Sequence, residues 1–122
     1  MNSVPEIRKP ERIIRTTLGE YLAKPIQEFD GTAVYVLACY PNYGCLYIGI
    51  SNNVFRRILE HVSYDKPLGV FLRSIMESAC SFRLDILVAP DEDYEWCRQA
   101  ERALVQYFRP TFNEQLLGES TC

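Results

Sequence analysis

Two tyrosines, Tyr35 and Tyr47, stand in apolar segments just ahead of a stretch that carries Arg57 and His61. Their chemistries are complementary. A free phenol ionises near pH ~10, so a tyrosine that handles protons at neutral pH needs nearby cations or a partner to relay through. Arginine stays protonated and its planar fork suits phosphoryl or carboxylate charge, while histidine titrates closest to neutrality. Further along, Glu101 falls among Cys97, Ala100, Leu104 and Phe108, which recur at a helical period. A carboxylate in that sector must snorkel to an edge, pair with an arginine or face a site, because buried carboxylates are otherwise rare.

The elements that must position these groups are readable from patterning. "TAVYVLA" and "CLYIGI" are rich in β-branched and aromatic residues, and Pro41, Asn42 and Gly44 between them are turn residues, so the pair predicts a β-hairpin. A period of two puts Tyr35 with Leu37 on one face and Val34 with Val36 on the other, and puts Tyr47 with Gly49 opposite Ile48. The register between the strands stays open. After Ser51, Asn52 and Asn53, any of which can cap, Phe55, Ile58, Leu59 and Val62 predict a helix over 54–64. Arg57 and His61 are four apart on it, and Arg56 and Glu60, also four apart, read as a surface pair. Leu68, Phe71, Leu72, Ile75 and Met76 predict a second helix over 67–79, and "FRLDILVA" a third strand. The last helix is expected from Asp91 or Glu92 to Phe108, stopped by Pro110.

Residues 1–30 hold three prolines and little periodicity, and read as an arm with one short helix. Thr17 and Glu20 have capping-box spacing there, and Pro25 closes the segment. Arg8, Lys9, Arg12 and Arg15 are interspersed with Glu6 and Glu11, the pattern of a solvated face more than of a phosphate-gripping arm. The expected organisation is therefore an arm at 1–30, one domain over 31–117 and a tail at 118–122. Its fold class is α+β, a small three-stranded, mostly antiparallel sheet flanked by helices.

Composition bounds the rest. With 122 residues and 48% hydrophobic content the chain has room for a single core. Its net charge of −3 argues against a polyanionic partner, yet the acidity is late: residues 86–122 carry seven acidic and three basic side chains. Much of it is "DEDYE" at 91–95, which reads as a helix start meeting the positive end of the dipole rather than a metal cage. The apolar runs fall short of the roughly 20 residues of a membrane span and there is no signal-peptide core, so the expectation is a cytoplasmic protein with no membrane partner. Cys39, Cys45, Cys80, Cys97 and Cys122 are odd in number and lack zinc-ligand spacing, which predicts reduced thiols without chemistry.

In this order of parts the residues resemble the GIY-YIG nuclease superfamily. "VYV" at 34–36 is similar to the first motif, with Ala33 and Val34 in place of Gly-Ile, and "YIG" at 47–49 matches the second literally. Arg57 falls where the family has its helix arginine, ten residues after the second tyrosine, and His61 where it often has His or Tyr. Glu101 in "AERALVQYF" stands for the family's metal-binding glutamate and Asn113 in "RPTFN" for its asparagine. Ile50 departs from members that carry lysine after the motif. The resemblance spans about residues 31–117. A bare YIG would carry little weight, but six positions in order carry much more.

The resemblance implies a metal-dependent endonuclease that hydrolyses DNA phosphodiesters with one Mg²⁺ or Mn²⁺ held by Glu101. Arg57 would meet phosphoryl charge, and Asn113 would orient groups near the metal or phosphate. Tyr35 is favoured as base or relay with Tyr47 positioning water or phosphate, the reverse assignment staying open, and His61 is placed to accept Tyr35's proton. Single-stranded, duplex and branched DNA are all candidate substrates, as is RNA. One site cuts one strand, so a homodimer formed through the N-terminal arm is a further expectation. The alternative is a nuclease-like fold that binds nucleic acid or protein without cutting. Glu101 bonded to a core arginine, away from both tyrosines, would favour it.

Overall fold

The computed structural model of the chain describes residues 8–24, 31–40, 43–75 and 82–113. Among them the order is β1 (Arg12–Thr17), α1 (Leu18–Ala23), β2 (Ala33–Cys39), β3 (Gly44–Ser51), α2 (Val54–Ser63), α3 (Pro67–Ile75), β4 (Phe82–Val88) and α4 (Tyr94–Phe108). The fold is α+β, with one antiparallel sheet in the order β1-β4-β2-β3.

Four strands, not three, make the sheet. The extra one is β1, inside the stretch expected to be an arm, and it pairs with β4 from Arg12↔Val88 to Thr17↔Arg83. As an edge strand it buries little: Ile14, Thr16 and Thr17 are half-covered while Ile13 and Arg15 are exposed. That leaves "RIIRTT" without the apolar alternation of a half-buried strand. Thr17 then caps α1, its side chain accepting from the Glu20 N–H at 3.1 Å, at the capping-box spacing.

The sheet is covered on both faces. Tyr35, Leu37, Leu84 and Ile86 meet Leu18 and Tyr21 of α1, Val54 and Ile58 of α2, and Leu68 and Leu72 of α3. Val34 and Ile48 on the other face meet Trp96, Cys97 and Ala100 of α4. Each fully buried apolar side chain contributes about 1.5–3 kcal/mol relative to exposure. Within α2 the apolar stripe is shifted from the expected one, because Val54 is buried and Leu59 is exposed. The predicted end of the second helix, including Met76, lies outside the described residues, as does the tail at 118–122.

α4 starts later than expected. Pro90–Glu92 form a 3-10 turn, and Asp93 caps the helix by accepting from the N–H groups of Glu95 at 3.0 Å and Trp96 at 3.3 Å. The cysteines divide. Cys45 and Cys97 are buried free thiols, whereas Cys39 is disulfide-bonded, which corrects the expectation of uniformly reduced thiols. No helix among the described residues is long and apolar enough to cross a membrane.

Candidate active site

The register between β2 and β3 brings both tyrosines to one face. Tyr35 pairs with Gly49 and Leu37 with Tyr47, so the two phenols lie diagonally on the side covered by α2. A bulge between Leu37 and Ala38 passes over Leu46, and Leu46 and Tyr47 both reach the same core although they are consecutive. Gly49 is the space under the Tyr35 ring. A Cβ at Gly49 would stand 2.6 Å from the Tyr35 hydroxyl and 2.9 Å from Cε2 of Tyr47.

Asn53 starts α2 by accepting from the Arg56 N–H at 3.1 Å. That start sets the phase of the helix so that Arg57 and His61, one turn apart, face the two phenols. The Tyr35 hydroxyl lies 2.8 Å from Nε2 of His61. The Tyr47 ring meets the same imidazole edge-on, with centroids 4.7 Å apart. Arg57 Nη1 donates to Oε1 of Glu60 at 2.8 Å, and Glu60 is therefore more closely bound to Arg57 than to Arg56, whose Nε is 3.6 Å away. The expected surface pair of Arg56 and Glu60 is therefore present, and Glu60 makes a second, shorter contact to Arg57.

The electrostatics follow from burial. Desolvation raises the Tyr35 phenol strongly, the neighbouring Tyr47 adds to the rise, and the Arg57 guanidinium opposes it. Desolvation likewise raises Tyr47, opposed by Arg57 and reinforced by the Glu101 carboxylate. Burial pushes His61 down to about 4, with Arg57 lowering it further and Glu60 partly offsetting that. At neutral pH both phenols keep their protons and the imidazole is uncharged. With its proton on Nδ1, His61 offers Nε2 as an acceptor to the Tyr35 hydroxyl.

Glu101 comes from the opposite face of the sheet. It follows Ala100, which is buried against the β3 side of the core, and β3 is the terminal strand of the sheet, so a side chain from α4 can act around that edge. Its charge is felt at Tyr47, as noted above. It is half-buried, burial raises its carboxyl, and nearby Arg98 opposes the rise. No ion pair ties it to a core arginine among the described residues. Of the three openings left for this carboxylate, pairing with an arginine is the one the described residues do not show.

Asn113 is used differently from expectation. Its side-chain oxygen accepts from the Ile48 N–H and its amide donates to the Ile48 carbonyl, both at 2.7 Å. Both contacts are to the backbone residue between Tyr47 and Gly49. Thr111 N–H bonds the Cys45 carbonyl at 3.2 Å and Phe112 N–H that of Leu46 at 2.9 Å, so residues 111–113 cover the open edge of β3. Asn113 therefore fixes the strand that carries Tyr47.

The structure thus draws Tyr35, Tyr47, Arg57 and His61 together, leaves Glu101 within electrostatic reach of Tyr47 and puts Asn113 along the outer edge of β3. Two contributors escape sequence reasoning, Gly49 as clearance and Glu60 as the arginine's partner. The i,i+3 spacing of Arg57 and Glu60 was a signal for the second. Among the described residues no three His, Cys, Asp or Glu side chains cluster as a metal cage. One half-buried carboxylate suits an oxygen-preferring divalent ion that keeps most of its water shell. Compared with protein-family models, with curated proteins and with solved structures, the chain matches none.

Proposed function

We propose that the protein is a GIY-YIG-type endonuclease that hydrolyses DNA phosphodiester bonds, with Mg²⁺ or Mn²⁺ held by Glu101. The observation that carries this reading is the 2.8 Å contact between the Tyr35 hydroxyl and Nε2 of an uncharged His61. A buried phenol whose pKa is raised is a poor free base. Bonded to an accepting imidazole it is a relay: it takes a proton from the attacking water as its own passes to His61. Tyr47, beside the same imidazole and within the field of Glu101, orients water or phosphate between the relay and the carboxylate.

Arg57 supplies fixed positive charge next to both phenols and meets the developing charge on the phosphoryl oxygens. When bound, the divalent ion would supply charge neutralisation at the phosphate and help for the leaving oxygen. Asn113 keeps β3 in place, which keeps Tyr47 aimed. A Glu101 tied to a core arginine away from the tyrosines would favour the non-cutting alternative, and no such ion pair is present among the described residues.

The test is incubation with single-stranded, duplex and branched DNA and with RNA, in Mg²⁺, Mn²⁺ or EDTA, alongside Glu101→Ala. Cleavage that needs the metal and is lost in the variant is the expected result. No cleavage of any substrate with either metal, or equal cleavage by Glu101→Ala, overturns the enzymatic reading.

A further inference from the structure

We infer that Glu60 is a positioning residue for this site, holding the Arg57 guanidinium against the two phenols and the imidazole. The inference rests on the proposed nuclease site but has a readout independent of cleavage. The Glu60 carboxylate meets two arginines at once, one at each oxygen. The helix-surface contact, Arg56 to Oε2 at i,i+4, is open and long at 3.6 Å, with the Arg56 side chain 75% exposed. The Arg57 contact at 2.8 Å is a charge-assisted bond of full strength, between side chains 41% and 26% exposed.

The consequence is conformational. A free arginine side chain samples many rotamers, and an arginine that must meet a phosphoryl group gains from being oriented beforehand. One Nη of the fork is committed to Glu60, and the guanidinium acts on both Tyr35 and Tyr47. The groups that face His61 are Tyr35 on β2, Tyr47 on β3, and Arg57 and Glu60 on α2 itself. Arg57 disfavours the imidazolium and Glu60 favours it, the Arg57 effect being the larger. A Glu60 that acted only as a nearby charge and a Glu60 that places Arg57 therefore predict opposite signs.

The experiment follows the imidazole of the chain's one histidine by NMR through a pH titration of wild type, Glu60→Ala, Arg57→Gln and the double variant. If Glu60 places Arg57, both single variants move the His61 titration upward, and the double variant lies below Arg57→Gln because only the carboxylate's charge is then lost. A downward move or no move in Glu60→Ala overturns the inference, and circular dichroism verifies that each variant is folded. In cleavage assays kcat of Glu60→Ala falls about tenfold, and adding Glu60→Ala to Arg57→Gln lowers kcat no further. An additional loss in the double variant overturns the indirect role. Should wild type cut nothing, the nuclease reading fails while the titration still decides what Glu60 does.

Discussion

The Tyr35 hydroxyl and Nε2 of His61 are 2.8 Å apart in a setting that holds the phenol protonated and the imidazole neutral. The pair has a pH signature. The folded imidazole titrates at about 4, below its ordinary 6.5, so between those values the unfolded chain binds more protons than the folded one. Stability from this group is fully present above pH 6.5 and is lost as pH falls toward 4, by on the order of 2 kcal/mol after discounting for solvent near the ring. Burial of Glu101 raises its carboxyl and gives a slope of the opposite sign, so the comparison is between wild type and His61→Gln. Urea unfolding across pH 4 to 7 is expected to show a steeper acid loss in wild type. Equal slopes would mean that His61 is not depressed.

Gly49 is expected to tolerate no side chain. The Cβ of an alanine there would lie 2.7 Å from Cζ of Tyr35, an atom of a ring buried in the core, and 2.9 Å from Cε2 of Tyr47, two residues back along β3. Neither ring has free volume to retreat into. Gly49→Ala should cost about 1–3 kcal/mol as a lowered urea midpoint with unchanged slope, and should misplace the Tyr35 hydroxyl from His61. A midpoint equal to wild type would show that the rings are not confined as described.

α2 and α4 were legible because each buries one regular face, and the hairpin because turn residues separate two β-branched, aromatic runs; the helical period placed Arg57 and His61 one turn apart, whereas the common face of Tyr35 and Tyr47 follows only from the register. What stayed hidden was non-local. Ile13 and Ile14 are adjacent, and only the pairing with β4 makes β1 a strand. The bulge that turns Leu46 and Tyr47 to the same side leaves no mark in apolar alternation, since both residues are apolar in either register. Trp96, not Phe108, leads the buried stripe of α4, and Phe108 at the helix end is 40% exposed. Asn113 was identified by its position after Pro110, but its partner, the Ile48 backbone, is 65 residues away and follows from the path of residues 111–113 along β3.

Asn113 makes a second stability test. Replacing it by alanine leaves the N–H and carbonyl of Ile48 without partners at a buried edge, and each orphaned group costs roughly 1–3 kcal/mol. The expected loss for Asn113→Ala is about 2–4 kcal/mol. Asn113→Asp keeps the acceptor for the Ile48 N–H but turns a carboxylate oxygen toward the Ile48 carbonyl, so it should be no better than alanine. Hydrogen exchange at the Ile48 amide localises the effect: faster exchange in both variants is expected, and unchanged protection would place Asn113's contribution elsewhere.

The first strand decides whether residues before Leu18 are an accessory arm or part of the fold. Six residues of β1 close the outer edge of β4, and the segment just ahead of it reaches α4, where the Arg8 carbonyl accepts from Nε1 of Trp96 at 2.8 Å and the Arg8 guanidinium pairs with the helix cap Asp93 at 2.8 Å. The ion pair is exposed and contributes little, under about 1 kcal/mol. The indole bond and the strand contribute more. Without them β4 presents open N–H and carbonyl groups, the core beside Leu84 and Ile86 loses Ile14, and the indole N–H loses its acceptor. A chain beginning at Leu18 is therefore expected to lose several kcal/mol, on the order of 3 or more, and to show red-shifted, more quenchable fluorescence from its single tryptophan. An accessory arm would leave the unfolding midpoint and the emission maximum where they are.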